Sequence, residues 1–336
     1  MFSNLRNISW QSSRTKRIVV GALILMIFAA AIGLRFVTEF IFDGLVIVLI
    51  WVATYEVFKA KKLDTKGVKD YYLYPYTIIA YLTFLLGILI NNPFAWWLHL
   101  VLQLVLVFVL CVYVYLMSYT DKDLVKESKL KNEPMGKVSA RVVREYLKVL
   151  LYPALLLFLL IPINHMHRWA TPVSIEGVLT PVTLLPLFAI LMIFVVSMFT
   201  DTAAYAVGGI MRGKKKLWPS ISPKKTWVGA VGGLFGGVIG ALVVLMIMTS
   251  NPTLQLYLTQ RMGYATSAIA ITMAVGLVGS ILTQAGDLYA SWIKRRCGIK
   301  DFGKLMPGHG GVMDRLDGVI WNAGFIFIMM LFLVFV

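Results

Sequence analysis

The sequence predicts an all-α membrane protein whose chain crosses a bilayer about nine times. Of its 336 residues, 59% are hydrophobic and only 14% are charged, whereas about a quarter of the residues in a soluble domain are charged. Nine apolar runs approach the roughly 20 residues that a helix needs to cross the hydrocarbon core of a bilayer. Lysine and arginine are concentrated in alternate connecting segments, as the positive-inside rule requires of a multi-pass protein.

The predicted spans follow the apolar runs in chain order. No period of 20 to 50 residues repeats along the chain, and no segment has the composition of a soluble domain. We divide the chain into residues 1–178, with the first five spans, and residues 179–336, with the last four spans and two basic loops. The nine spans are 18–34, 40–58, 71–90, 94–117, 147–163, 179–200, 228–248, 266–290 and 318–336.

The net charge of +16 is explained by topology and does not indicate a nucleic-acid partner. All but three of the 32 lysines and arginines fall on one side when connecting segments are assigned alternately to two sides. The other side has only Arg35, Arg168 and Arg261. This asymmetry predicts a cytoplasmic N-terminus, an extracytoplasmic C-terminus and a place in a bacterial plasma membrane.

The first span has a competing interpretation as a cleaved signal peptide. A basic arm precedes its apolar run, and three alanines follow at 29–31. Cleavage would leave the orientation of the later spans unchanged.

A polar stretch at 291–317 separates the last two predicted spans. Its turn-forming run at 307–311 must bend the chain back. If a helix begins near Met313, Asp314 and Asp317 share one face of its first turns, and Asp287 ends the preceding span. Three carboxylates that meet there could hold a hard divalent cation. Cationic donors suited to phosphate oxygens lie in the same stretch: Lys294, Arg295, Arg296, Lys300 and Lys304.

A second basic loop begins after the sixth predicted span. Asp201 follows that apolar run directly, and an ionisable group at membrane depth is a candidate functional residue. Further on, the segment 222–226 reads Ser-Pro-Lys-Lys-Thr and precedes Trp227 at a predicted helix start. Ammonium groups, hydroxyls and a helix N-terminus together suit a polyphosphate.

These motifs resemble those of the phosphatidate cytidylyltransferase family. The similarity includes Asp-Thr-x-x-Tyr at 201–205, Ser-Pro-Lys-Lys-Thr at 222–226, and the stretch from Ser291 to Asp317 with its Pro-Gly-His-Gly-Gly turn. It covers residues from about 195 to 325. Many relatives have a glutamate where this chain has Val228, so no role of that carboxylate can be transferred.

The resemblance implies transfer of CMP from CTP to phosphatidic acid, giving CDP-diacylglycerol and pyrophosphate. It implies that Asp287 and Asp314 bind Mg²⁺, with Asp317 as a further ligand or supporting group. A second, monovalent ion is left open. His309 either donates to the pyrophosphate or stabilises the turn. Lys294 and Arg295 are expected to act in catalysis, and the expected substrate-binding residues are Asp201, Ser222, Lys224, Lys225, Thr226, Lys300 and Arg315.

Other interpretations remain open at this point. A different lipid phosphate or a polyprenol could be the acceptor, and a transporter could use Asp201 and Asp287 as coupling groups, although paired broken helices are absent from the sequence. Glycines at 229–240 predict a close-packing helix face within one chain, with a homodimer interface as the weaker alternative. The expected partners are CTP, phosphatidic acid and the lipid bilayer.

Overall fold

The computed structural model describes residues 13–62, 73–90, 95–211, 215–263, 265–306 and 310–335, and these are mainly helical. The longer helices are α1 (Ser13–Arg35), α2 (Glu39–Ala60), α3 (Leu73–Ile90), α4 (Ala95–Ser118), α5 (Lys122–Lys131) and α6 (Met135–Val149). A π-helical turn (Leu150–Leu155) then leads to α7 (Leu156–Phe158), α8 (Leu160–Asn164) and a 3₁₀ turn (Met166–Arg168). The remaining helices are α9 (Leu185–Ile210), α10 (Trp227–Met248), α11 (Pro252–Met262), α12 (Ala265–Arg296) and α13 (Met313–Phe335).

Seven of the described helical segments are long and apolar enough to cross a membrane. They are α2, residues 101–118 of α4, the kinked run from α6 through α8, α9, α10, α12 and α13. Shorter apolar helices cover Gly21–Arg35 and Leu73–Leu89, so every predicted span coincides with a helix. The prediction of a multi-pass membrane protein is therefore confirmed. The count of nine, the orientation and the division at residue 178 stay predictions.

Several helices extend beyond the predicted apolar runs into the polar segments. Helix α9 continues through Asp201 to Ile210, and α12 continues past the predicted end at residue 290 to Arg296. The extension of α9 contains Ala203, Ala204 and Ala206, and the extension of α12 contains lysine and arginine, all of which favour helix formation. Helix α13 begins at Met313, which meets the condition under which Asp314 and Asp317 share one helix face. The candidate carboxylates consequently lie on rigid helices.

Two short antiparallel ribbons are the only strands in the described part of the chain. One joins β1 (Val173–Ile175) to β2 (Val178–Thr180). The other pairs β3 (Lys216–Trp218) with β4 (Ser222–Thr226), with Lys216 opposite Thr226 and Trp218 opposite Ser222. The all-α prediction missed these strands, and β4 is the Ser-Pro-Lys-Lys-Thr segment that leads directly into α10.

Glycines of α10 allow that helix to lie very close to α9 and α12. A Cβ atom at Gly236 would stand 2.5 Å from both the Cβ of Ala203 and the carbonyl oxygen of Phe199 on α9. A Cβ at Gly237 would stand 2.5 Å from the Cβ of Ser280 on α12. The close-packing prediction within one chain is confirmed, because the glycine face is occupied by neighbouring helices of the same chain.

We call the end of the bundle where α9 ends and α10 begins the polar end, and the opposite end the far end. At the far end, Asp43 is fully buried and anchors a polar cluster. Its carboxylate lies 2.7 Å from His165 Nε2 and accepts hydrogen bonds from Tyr81 at 3.0 Å and Asn164 at 2.9 Å. Arg35 Nε donates to Asn164 Oδ1 at 2.6 Å, so the cluster ties α1, α2 and α3 to the segment that ends α8.

Candidate active site

A lysine from the strand β4 meets an aspartate from α12 at the polar end. Lys225 Nζ lies 2.6 Å from Asp287 Oδ2, and Ser291 Oγ lies 3.4 Å from the other oxygen of the same carboxylate. The Lys225 and Asp287 side chains are 24% and 29% exposed, so water and ligands can reach both. This ion pair connects the two regions that carry the sequence motifs.

A second lysine–aspartate pair joins α12 to α13. Lys294 Nζ lies 2.8 Å from Asp314 Oδ1 and 4.0 Å from Asp317 Oδ2. The other oxygen of Asp314 accepts backbone hydrogen bonds from Phe302 at 2.8 Å and Gly311 at 2.9 Å. With its side chain only 4% exposed, Asp314 therefore fixes the returning loop as well as the lysine.

Helices α12 and α13 cross in direct contact beside these pairs. A Cβ at Gly286 would lie 2.5 Å from the carbonyl oxygen of Asp317, so glycine is needed at the crossing. Asp287 follows immediately on α12. The crossing therefore brings Asp287 and Asp317 onto adjacent turns of α12 and α13, while Asp314 lies one turn earlier on α13.

A cavity of about 550 Å³ opens beside the Lys225–Asp287 pair. Thr226 caps α10 at its edge by accepting a hydrogen bond from the Gly229 backbone N–H at 3.1 Å. The N-terminal end of α10 thus borders the cavity and adds positive potential to that of the lysines. The polar residues that line it are Asp201, Tyr205, Lys216, Lys224, Lys225, Thr226, Gln284 and Asp287.

Other predicted site residues lie outside the cavity lining. Arg295 is exposed, and its Nε donates to the Ile221 carbonyl at 3.2 Å, which ties the end of α12 to the turn before β4. Ser222 begins β4, and Lys300 is exposed on the loop after α12. Arg315 is exposed in the first turn of α13. The predicted role of His309 concerns a position outside the described residues.

The aspartates have the right chemistry for Mg²⁺, a hard cation that prefers carboxylate oxygens. Lysine ammonium groups stand beside Asp287 and Asp314 and balance their charge as a bound cation would. In the described parts of the chain, no three His, Cys, Asp or Glu side chains are grouped as ligands of one ion. The carboxylate oxygens are thus the type of ligand that Mg²⁺ prefers. For the ion to bind them, Lys225 and Lys294 would have to leave Asp287 and Asp314 and pair with a phosphate.

The sequence did not identify Glu56 as part of this region. Glu56 lies on α2, is 5% exposed, and accepts backbone hydrogen bonds from Val312 at 3.1 Å and Met313 at 2.8 Å. Its carboxylate caps the N-terminus of α13, where negative charge is stabilised. The signal in the sequence was an acidic residue inside an apolar span, which marks a functional candidate by default.

Comparison with known proteins places these motifs in a family. The sequence profile of the cytidylyltransferase family matches residues 15–333. A phosphatidate cytidylyltransferase of Brucella suis is 39% identical over 139 residues, which cover 41% of this chain and 45% of that protein. A protein of the same name from Staphylococcus aureus (strain COL) is 40% identical over 132 residues, or 39% of this chain and 45% of that protein. The matched stretch thus spans less than half the length of either relative.

Proposed function

This chain belongs to the cytidylyltransferase family, and we propose that it transfers CMP from CTP to phosphatidic acid. The products are CDP-diacylglycerol and pyrophosphate. The relatives named phosphatidate cytidylyltransferase support this choice of donor and acceptor.

The ion pair of Lys225 with Asp287 at the cavity edge is the observation that carries the proposal. The Lys225 ammonium group lies 2.6 Å from the partly exposed Asp287 carboxylate, where both groups can contact a ligand. Lys216 and Lys224 line the same cavity, so a nucleotide triphosphate would meet three lysines and the N-terminus of α10. A cavity of about 550 Å³ lies within the range of small-molecule sites.

The reaction joins an oxygen of the lipid phosphate to the α-phosphorus of CTP. The bond from that phosphorus to the bridging oxygen breaks, and the electron pair leaves with pyrophosphate. Catalysis of such a step rests mainly on positioning and on stabilising charge at the phosphoryl oxygens. Lys224 and Lys225 neutralise the triphosphate. Lys294 acts beside Asp314, where α12 and α13 converge, and Arg295 acts from the end of α12 next to the turn before β4. The lipid phosphate is largely ionised near neutral pH, so no strong base is required.

The proposal includes Mg²⁺ held by Asp287, Asp314 and Asp317. When bound, the ion would supply positive charge to the phosphate oxygens. Asp287 is the most accessible of the three, because it borders the cavity. Asp314 is already engaged by Lys294 and two backbone amides, so it serves first to hold the loop. A second, monovalent ion would need donors beyond these three.

We place the polar end at the cytoplasmic face of a bacterial cell membrane, with nine spans in total. The charge asymmetry of the sequence supports this orientation. CTP would then reach the cavity from the cytoplasm and phosphatidic acid from the bilayer.

The test uses the purified full chain in mixed micelles with CTP labelled at its α-phosphate. With phosphatidic acid, label should enter the lipid fraction as CDP-diacylglycerol while pyrophosphate is released in equal amount. A polyprenol and a prenyl-ether lipid phosphate serve as competing acceptors. Preferred labelling of the prenyl-ether lipid phosphate would reject the proposed acceptor. Formation of labelled CDP with the polyprenol, without lipid-bound label, would reject the proposed reaction.

A further inference from the structure

A second cavity, of about 300 Å³, lies at the far end of the bundle. It lies between α9, α11, α12 and α13, and most of its lining is apolar, as Phe188, Met192 and Met329 illustrate. Phe188 lies in the first turn of α9 and Phe332 in the last turn of α13, whereas the candidate active site uses the opposite ends of these helices. The far-end cavity is therefore separate from the proposed CTP site.

Arg261 supplies a fixed positive charge to this cavity. One of its guanidinium nitrogens, NH2, donates to Thr171 Oγ1 at 2.9 Å and to the Val334 carbonyl at 3.4 Å, and the group lies 5.7 Å from the Tyr257 ring centre. Within the described ranges, no Asp or Glu lies within 4.0 Å of it, although Arg168 has such a partner in Glu39 at 3.1 Å. A partly buried cation beside apolar surface is stabilised by an anion, and an anionic ligand at the mouth of this cavity would supply one.

Thr272 supplies an unsatisfied hydroxyl to the same cavity. The residue is 1% exposed and lies about two helical turns from the start of α12. Its Oγ1 atom has no hydrogen-bond partner among the described residues. A buried hydroxyl left without a partner is destabilising, so rotation of this side chain toward a ligand oxygen in the cavity would restore the lost bond.

We propose that the far-end cavity binds one anionic phospholipid from the leaflet at that end. Its phosphate pairs with Arg261, an ester carbonyl accepts from Thr272, and part of one acyl chain fills the apolar cavity. Met192 and Met329 suit this role, because flexible thioether side chains adapt to an irregular chain. The inference does not rest on the proposed CTP-dependent reaction.

The experiment titrates the full chain in detergent with phosphatidylglycerol or with phosphatidylcholine of the same acyl chains, and counts bound lipids by native mass spectrometry. Phosphatidylglycerol is chosen because it is not the proposed substrate. We expect one phosphatidylglycerol to be retained preferentially. Arg261→Gln should weaken its binding about tenfold, since a charge-assisted hydrogen bond is lost, while Arg261→Lys should retain most of it.

Two further variants distinguish lipid bound in the far-end cavity from lipid that surrounds the protein non-specifically. Met329→Trp should remove the retained lipid by filling the cavity, and Thr272→Val should weaken binding at unchanged shape. Arg168→Gln is the matched control, because that arginine lies at the same end and already has a carboxylate partner. Equal retention of both lipids, or unchanged phosphatidylglycerol binding in both Arg261→Gln and Met329→Trp, would overturn the proposal. CTP turnover of the unmodified chain reports on the proposed reaction separately.

Discussion

Replacing Glu56 by alanine tests whether the first half of the chain holds the active-site loop in place. Glu56 accepts two backbone hydrogen bonds at the start of α13, at 3.1 and 2.8 Å. Its carboxylate also occupies the space beside Gly303 and Gly311, where a Cβ atom on either glycine would overlap it. Asp314 lies in the turn that this contact fixes.

The expected loss follows from these two bonds. A hydrogen bond to a charged group contributes about 1.5–3 kcal/mol, so removal of both should cost about 3 kcal/mol or more at the start of α13. A penalty of that size corresponds to roughly a hundredfold change in the population of the correctly held loop. Glu56→Gln should cost about half as much, because it keeps one acceptor and turns an amide donor toward the second N–H.

The assay measures kcat for CDP-diacylglycerol formation together with the Tm of the purified variants in detergent. We expect kcat to fall moderately in Glu56→Gln and further in Glu56→Ala. A protease should also cleave the loop between α12 and α13 faster in both variants than in the wild type. Glu127→Ala is the matched control, because Glu127 pairs only with surface cations, Lys131 at 2.6 Å and Arg141 at 3.0 Å, and each such pair contributes about 0–1 kcal/mol. Wild-type kcat and Tm in Glu56→Ala would refute the reasoning.

Four further predictions concern the site and the bundle. Asp287→Ala and Asp314→Ala should each abolish CTP-dependent turnover while membrane insertion persists, and substantial activity in either purified variant would contradict the assigned roles. Lys225→Ala should raise the KM for CTP more than that for phosphatidic acid, because its ammonium lies at the cavity edge; equal KM changes would argue against it. Gly236→Val should lower stability by about 1–3 kcal/mol through overpacking against α9, measured as a reduced Tm, and an unchanged Tm would disprove the close contact. Chelation by EDTA should stop turnover and added Mg²⁺ should restore it, whereas full activity in EDTA would exclude the proposed metal.

The sequence was informative wherever a short-range pattern carries the signal. Runs of apolar residues located the helices, because one span is a continuous segment of the chain. Asp314 and Asp317 were expected to share a helix face if a helix began near Met313, and α13 does begin there. The glycines of α10 indicated close packing for the same local reason.

Helix ends and small strands were less well predicted. Asp201 was expected to follow a span, but α9 continues past it. The hydropathy of a run fixes where lipid contact ends, whereas a helix continues as long as its backbone hydrogen bonds and side-chain contacts favour it. The pairing of β4 with β3 depends on two segments meeting, which neither segment shows alone.

By itself, the sequence determined that this chain has many membrane-crossing helices and which polar segments carry the candidate chemistry. Only the tertiary structure decided that Lys225 pairs with Asp287, that Lys294 pairs with Asp314, and that Glu56 caps α13 from α2. The physical reason is that hydropathy and helical periodicity describe neighbours along the chain. Contacts between distant segments depend on how whole helices cross, and that is set by packing over the entire bundle.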